Sequence, residues 1–118
     1  MSKRVLTAFK AYDLRGRLGY DMDEDVAYRV GRASAQQQRA SSVVIAWDAR
    51  ASSRDLAHAV ENGVIDAGAD AWTIGLAGTE EMYCATAELG ACLGIMITAS
   101  HNPIDYNGMK LVKLDARP

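Results

Sequence analysis

Several features are scarce or missing in this chain of 118 residues. No uninterrupted apolar run reaches about 18 residues, so no membrane-spanning helix is expected. There is no excess of positive charge. The 13 Lys and Arg stand against 15 Asp and Glu, giving a formal net charge of −2. That balance argues against non-specific nucleic-acid binding, which needs a basic face. The only cysteines are Cys84 and Cys92. Neither has a CxxC partner, so a metal site is not expected, and a reduced, cytoplasmic setting is the simpler reading. Residues 1–6 carry two positive charges with no long apolar region behind them, which does not read as a secretory signal. Internal repeats, linkers and low-complexity segments are also missing. What remains is 49% hydrophobic and 24% charged, the composition of a globular chain long enough for one domain with a real core.

The pattern predicts strands alternating with helices. Residues 9–19 read as a polar loop after a short initial strand, because Lys10, Asp13, Arg15 and Arg17 lie among Gly16 and Gly19. A helix is expected from Asp23, as its cap, to about Ala40, with Val26, Val30 and Ala33 at helical spacing. Ser42 to Trp47 reads as a buried strand, and 48–53 as a turn that caps the next helix. That helix carries Leu56, Val60, Val64 and Ala67 on one face, and Gly68 ends it. A strand at 71–74 follows, then a loop at 75–78 and a helix opened by Thr79 and running to about Gly90. Strands at 93–98 and 109–114 close the chain. The order implies a three-layer α/β/α domain with a mixed, mostly parallel four-stranded sheet. The link between the last two strands is too short for a crossover helix, so the last strand should run antiparallel.

The segment Ile97-Thr98-Ala99-Ser100-His101-Asn102-Pro103 carries the chemistry. It places one hydroxyl, Ser100, at the end of the apolar run Leu93, Ile95, Met96 and Ile97. Loops at the carboxyl ends of such strands are where α/β proteins put their chemistry. A serine there is a nucleophile or a phosphate carrier if charge is stabilised nearby, and otherwise a turn cap. His101 and Lys110 are the candidates to stabilise that charge. A Ser-His hydrolase is disfavoured, because neighbouring side chains on an extended loop point apart and Gly-x-Ser-x-Gly is missing.

Three motifs together resemble a known family. They are Phe9-Lys10-Ala11-Tyr12-Asp13-Leu14-Arg15-Gly16, Gly78-Thr79-Glu80-Glu81-Met82-Tyr83, and the stretch from Thr98 through Ser100-His101-Asn102-Pro103 to Asn107-Gly108-Met109-Lys110-Leu111-Val112. They resemble the α-D-phosphohexomutases, nearest to the bacterial phosphomannomutase branch that supplies GDP-mannose. The likeness covers residues 1–118 as the first of that family's four domains. It implies interconversion of mannose 6-phosphate and mannose 1-phosphate through a bisphosphorylated sugar. Ser100 would carry the phosphoryl group. Lys110 would neutralise charge and take part in proton transfer. His101 and Asn102 would shape the loop and contact phosphate or substrate, with Tyr12 and Arg15 lining the same site.

The resemblance also implies Mg2+, bound to the phosphate on Ser100 and to aspartates of a later domain. Mannose or glucose phosphates would be the substrates, with neither nucleic acid nor membrane as partner. The chain lacks the Asp-x-Asp-x-Asp spacing and the later sugar-binding loops, so alone it is expected to be inactive and to bind Mg2+ weakly. One departure is local: where the family has Gly-x-Asp-x-Arg, this chain has Ala46-Trp47-Asp48-Ala49-Arg50. The alternative readings are a truncated, non-catalytic module that self-associates through the face its missing domains would cover, and a small serine phosphatase.

Overall fold

The computed structural model describes residues 9–20, 22–91, 93–98 and 106–114. Five strands and three helices follow in the order β1 (Phe9–Arg17), α1 (Glu24–Gln38), β2 (Ser42–Trp47), α2 (Ser53–Asp66), β3 (Asp70–Leu76), α3 (Thr79–Glu88), β4 (Leu93–Ile97) and β5 (Tyr106–Leu114). The sheet order is β1-β5-β4-β2-β3. β2 pairs in parallel with β3 and β4, while β5 is antiparallel to β4 and β1. Four strands therefore run one way and β5 the other, as the short final link requires.

The expected four-stranded sheet has five strands. The polar stretch read as a loop is β1, paired with β5 over its full length from Phe9↔Leu114 to Arg17↔Tyr106. An edge strand has one flank open to solvent, so it accommodates a polar sequence that lacks a clean buried face. β5 likewise begins three residues earlier than its apolar run suggests.

The alternation of side chains builds two cores. Val43, Ile45, Leu93, Ile95, Ile97 and Met109 face α1 and α2, which bring Ala27, Ala35, Leu56, Val60 and Val64. Val44, Ala46, Met96 and Val112 face α3, which brings Met82. These are the three layers. The period of two in strands and 3.6 in helices puts successive residues of one strand into opposite cores. Helix spacing is set by glycine. A Cβ on Gly31 would lie 2.5 Å from the Val60 carbonyl oxygen, and one on Gly63 would collide with that of Tyr28. On the other face, a Cβ on Gly94 would lie 2.5 Å from both Met82 Sδ and Thr86 Oγ1.

The helix ends follow local chemistry. Asp23 Oδ1 accepts from the Val26 N–H at 2.9 Å, the expected cap of α1. α2 ends at Asp66, and Gly68 takes φ +92°, a turn that a side chain would strain. α3 differs from expectation. Its N-cap is Gly78, not Thr79, and the Glu81 carboxylate accepts the Gly78 N–H at 3.0 Å. Among the described residues no helix is long and apolar enough to cross a membrane.

Candidate functional site

The topology selects one edge of the sheet. The carboxyl ends of β1, β2, β3 and β4, the start of β5 and the N-termini of all three helices lie there. β2 and β4 are neighbours, yet the chain leaves β2 toward β3 and leaves β4 toward β5. Connections that depart to opposite sides mark a switch point in the strand order, the usual ligand position in such sheets. The described residues at this point are 48–52 after β2, Thr98 after β4 and Tyr106 at the start of β5.

A polar network joins the turn after β2 to the end of β4 and the start of β5. The Asp48 N–H donates to Ile97 C=O at 3.0 Å, and the Thr98 N–H to Gly108 C=O at 2.9 Å. Asp48 Oδ1 accepts from the Arg50 N–H at 3.0 Å and from the Ser53 hydroxyl at 2.5 Å. Arg50 donates through a terminal guanidinium nitrogen to Tyr106 C=O at 3.1 Å. Asn107 Nδ2 donates to Ser52 Oγ at 2.7 Å and to Ser53 Oγ at 3.0 Å, and Asn107 Oδ1 accepts the Gly108 N–H at 2.8 Å. Asn107 and Ser53 are both 0% exposed. Burial in low dielectric makes an unpaired amide or hydroxyl costly, and among the described residues no buried side-chain polar atom lacks a partner.

Ser52 occupies the N-cap position of α2 but makes no side-chain cap bond. The turn at 48–53 therefore precedes the helix as expected without capping it through Ser52. Its backbone is helical, its C=O accepts the Leu56 N–H at 3.2 Å, and its hydroxyl oxygen accepts from Asn107 Nδ2. The Ala46-Trp47 departure leaves this arrangement intact. Ala46 is buried between Gly75 and Met96. Among the described residues Arg39 is the only non-glycine with positive φ, so position 46 has no conformational need for glycine. The sheet irregularity lies across from it, where Ile74 is an extra residue between Thr73 and Gly75 in β3.

The sequence-predicted site residues divide into two groups. Ser100, His101 and Asn102 lie outside the described residues. Tyr12, Arg15 and Lys110 lie on strands. Arg15 is opposite Gly108, Tyr12 is opposite Leu111, and Lys110 stands between Asp13 on β1 and Met96 on β4. Arg15 and Lys110 thus stand near the strand ends that flank the 99–105 segment, with Tyr12 three residues further down β1. Arg17, not expected in the site, lays its guanidinium over the Tyr20 ring at 4.7 Å. Sequence reasoning gave no site role to Ser52, Ser53 or Asn107. The signal that could have found them is the hydroxyl pair at a helix start together with the Asn-Gly pair after the apolar strand.

Two hollows among the described residues bear on the site. One of about 210 Å3, bordered by Leu18, Met22, Asp23, Ser52 and Leu56, opens on the loop edge beside Ser52. A larger one of about 300 Å3, between α1 and the Leu93, Leu111 and Lys113 side chains, touches none of the network. The described residues do not fit a magnesium ion. Among them no group of three His, Cys, Asp or Glu side chains converges, and Asp48 Oδ1 is already committed.

Comparison with known proteins agrees with this architecture. Residues 6–118 match the family described as phosphoglucomutase/phosphomannomutase, alpha/beta/alpha domain I. The phosphomannomutase of Salmonella typhimurium (strain LT2) is 54% identical over 113 residues, covering 96% of this chain and 25% of that protein. A phosphomannomutase sequence from Klebsiella pneumoniae is 52% identical over 113 residues, 96% of this chain and 72% of that one. Among solved structures, a phosphoglucomutase/phosphomannomutase family protein from Burkholderia thailandensis superposes with a TM-score of 0.78 at 39% identity, covering 88% of this chain and 25% of that one. The chain spans about a quarter of the length of the Salmonella and Burkholderia proteins. With the family's first-domain pattern matched over 113 of its residues and its α/β/α layers in place, the chain belongs to the phosphoglucomutase/phosphomannomutase family, as its domain I.

Proposed function

We propose that this chain is the phosphoserine-bearing part of a phosphomannomutase that interconverts mannose 6-phosphate and mannose 1-phosphate. The observation that carries the reading is the family match across residues 6–118, which includes the whole 98–110 segment. In this reading a sugar hydroxyl attacks the phosphorus of phospho-Ser100. The Ser100 Oγ–P bond breaks, the sugar O–P bond forms, and the hydroxyl proton passes by way of Lys110 to Ser100 Oγ. The bisphosphorylated sugar turns over and returns its other phosphate by the reverse step. Phosphoryl transfer spreads negative charge over the phosphate oxygens, so cations and positioning do most of the work. Lys110 supplies a compact charge and Arg15 a planar fork, while His101, Asn102 and Tyr12 contact phosphate or sugar. This chain's share of a magnesium site is a single ligand, the phosphate on Ser100. The chain alone lacks a complete site and turns over neither sugar.

The test joins this chain to the remaining three quarters of the Salmonella relative and assays mannose phosphate interconversion. Activity that Ser100→Ala abolishes supports the reading, and activity indifferent to that change refutes it. The intact mass of the purified chain reports whether Ser100 carries a phosphate.

A second reading, a non-catalytic association module, is favoured by β3. This edge strand exposes Trp72 at 46% and Leu76 at 67%. Exposed apolar edges promote association. Sedimentation that finds a monomer at every concentration removes it.

A further inference from the structure

We infer that the hollow between α1 and β5 seats the polypeptide that follows domain I in full-length relatives, as an amphipathic helix with a carboxylate set against Lys113. The inference rests on membership of the family and not on the reaction proposed above.

The sheet is covered unevenly. β5 carries apolar residues on both faces, Met109 and Leu111 toward α1 and α2, and Val112 toward α3. A strand of that kind is covered from both sides. Val112 is 0% exposed beneath α3, but Leu111 is only half-buried. On β1, Leu14 stands opposite the core residue Met109 and is 42% exposed. α1 does not shield them. It rests on α2, where Gly31 meets the Val60 carbonyl, and makes little contact with any strand. It borders the hollow of about 300 Å3 only with Ser34, Gln37 and Gln38. The open part of this face therefore lies over β1 and β5.

Charge and chain direction name the occupant. Lys113 lines the hollow beside Leu93 and stands opposite Lys10 in the β1–β5 register. Like charges directly opposite each other repel. Lys113 is half-buried, and among the described residues no ion pair involves it. The complement to this face is an apolar surface that carries a carboxylate. β5 runs past Lys113 to Leu114, so polypeptide continuing from β5 emerges beside the hollow. The region matched is domain I and a quarter of the Salmonella protein, whose later domains must follow from this point. β1 and β5 are nine residues each, about 30 Å, a length that about 20 residues of helix span. A second copy docking by the same face would set lysine against lysine.

The experiment compares the chain of 118 residues with the same chain lengthened by the roughly 30 residues that follow the matched region in the Salmonella protein, enough for the helix and its link. Reductive methylation of Lys113 is read by peptide mass spectrometry. A carboxylate beside an ammonium favours its charged form, and a rise of about one pKa unit leaves about tenfold less reactive amine. Lys113 should therefore react about tenfold more slowly in the lengthened chain. Leu14→Asn in the lengthened chain should return the rate toward that of the shorter one. Equal rates in the two chains overturn the proposal. So does protection that Leu14→Asn leaves intact, since the added segment then sits elsewhere. Protection already present in the shorter chain also overturns it. Growth of that protection with concentration would identify a second copy as the occupant, and independence of concentration would identify residues 1–8. The lengthened chain should also gain helical far-UV ellipticity and unfold at higher urea, and a lower midpoint overturns the seat. Should Leu14→Asn fail to fold, the two wild-type chains decide.

Discussion

Gly63→Ala places a methyl group where α2 crosses α1. The new Cβ would collide with the Tyr28 carbonyl oxygen, lie 2.8 Å from the Arg32 amide nitrogen and 3.1 Å from the Tyr28 carbonyl carbon. All three atoms are backbone, so no side chain can rotate aside and α1 itself must move. Forcing an extra methyl into a packed contact costs about 1–3 kcal/mol, and the rigid neighbours put this case near the upper end. Alanine's higher helix propensity returns about 1 kcal/mol. The net loss is about 2 kcal/mol, which for a urea slope of about 2 kcal/mol/M lowers the unfolding midpoint by about 1 M. Urea titration followed by far-UV circular dichroism measures it. Gly78→Ala is the comparison: its Cβ would meet only Glu81 Oε1 at an ordinary 3.5 Å, so it loses no more than the N-cap preference for glycine over alanine, about 1 kcal/mol. A Gly63→Ala midpoint at or above the wild type would refute the close-crossing argument.

Three other outcomes follow from the same packing and bonding. Gly94→Ala drives its Cβ into Met82 Sδ and Thr86 Oγ1 and should cost about 1–3 kcal/mol. Combined with Met82→Ala, the loss should be smaller than the sum of the two single changes, because shortening Met82 vacates part of the space that the alanine needs. Asp23→Ala removes the cap bond to Val26 and should lower stability by about 1 kcal/mol in the same titration. Tyr28 donates its hydroxyl to Asp66 Oδ2, and that bond, with burial and the Asp66 charge, raises the phenol above its ordinary value. A raised folded pKa means the stabilisation is full below the unfolded value near 10 and fades as pH rises through the folded one. The stability gap between wild type and Tyr28→Phe should therefore be widest below pH 10 and close above it, and a constant gap across that range would count against the bond.

Much of the fold was legible because its signals are local. The apolar run 43–46, the spacing of Leu56, Val60 and Val64, the Asp23 cap and the Gly68 stop each act within a few residues, and all appear where the pattern puts them. The brevity of the final link was enough to make β5 antiparallel. β1 was not legible. Its charges read as a loop until β5 supplies the partner that pairs every residue from Phe9 to Arg17. Thr79 was read as a cap on its residue type, but the backbone turns one residue earlier and the Glu81 carboxylate does the capping.

The sequence alone determined the α/β alternation, the direction of the last strand and the family, since hydrophobic period, turn chemistry and a contiguous motif are properties of neighbouring residues. Only the tertiary structure decided that Asn107 meets Ser52 and Ser53, 55 and 54 positions away. Those partners are set by which strands lie side by side. That order is fixed by burying two faces of one sheet at once, which no local stretch of the chain encodes.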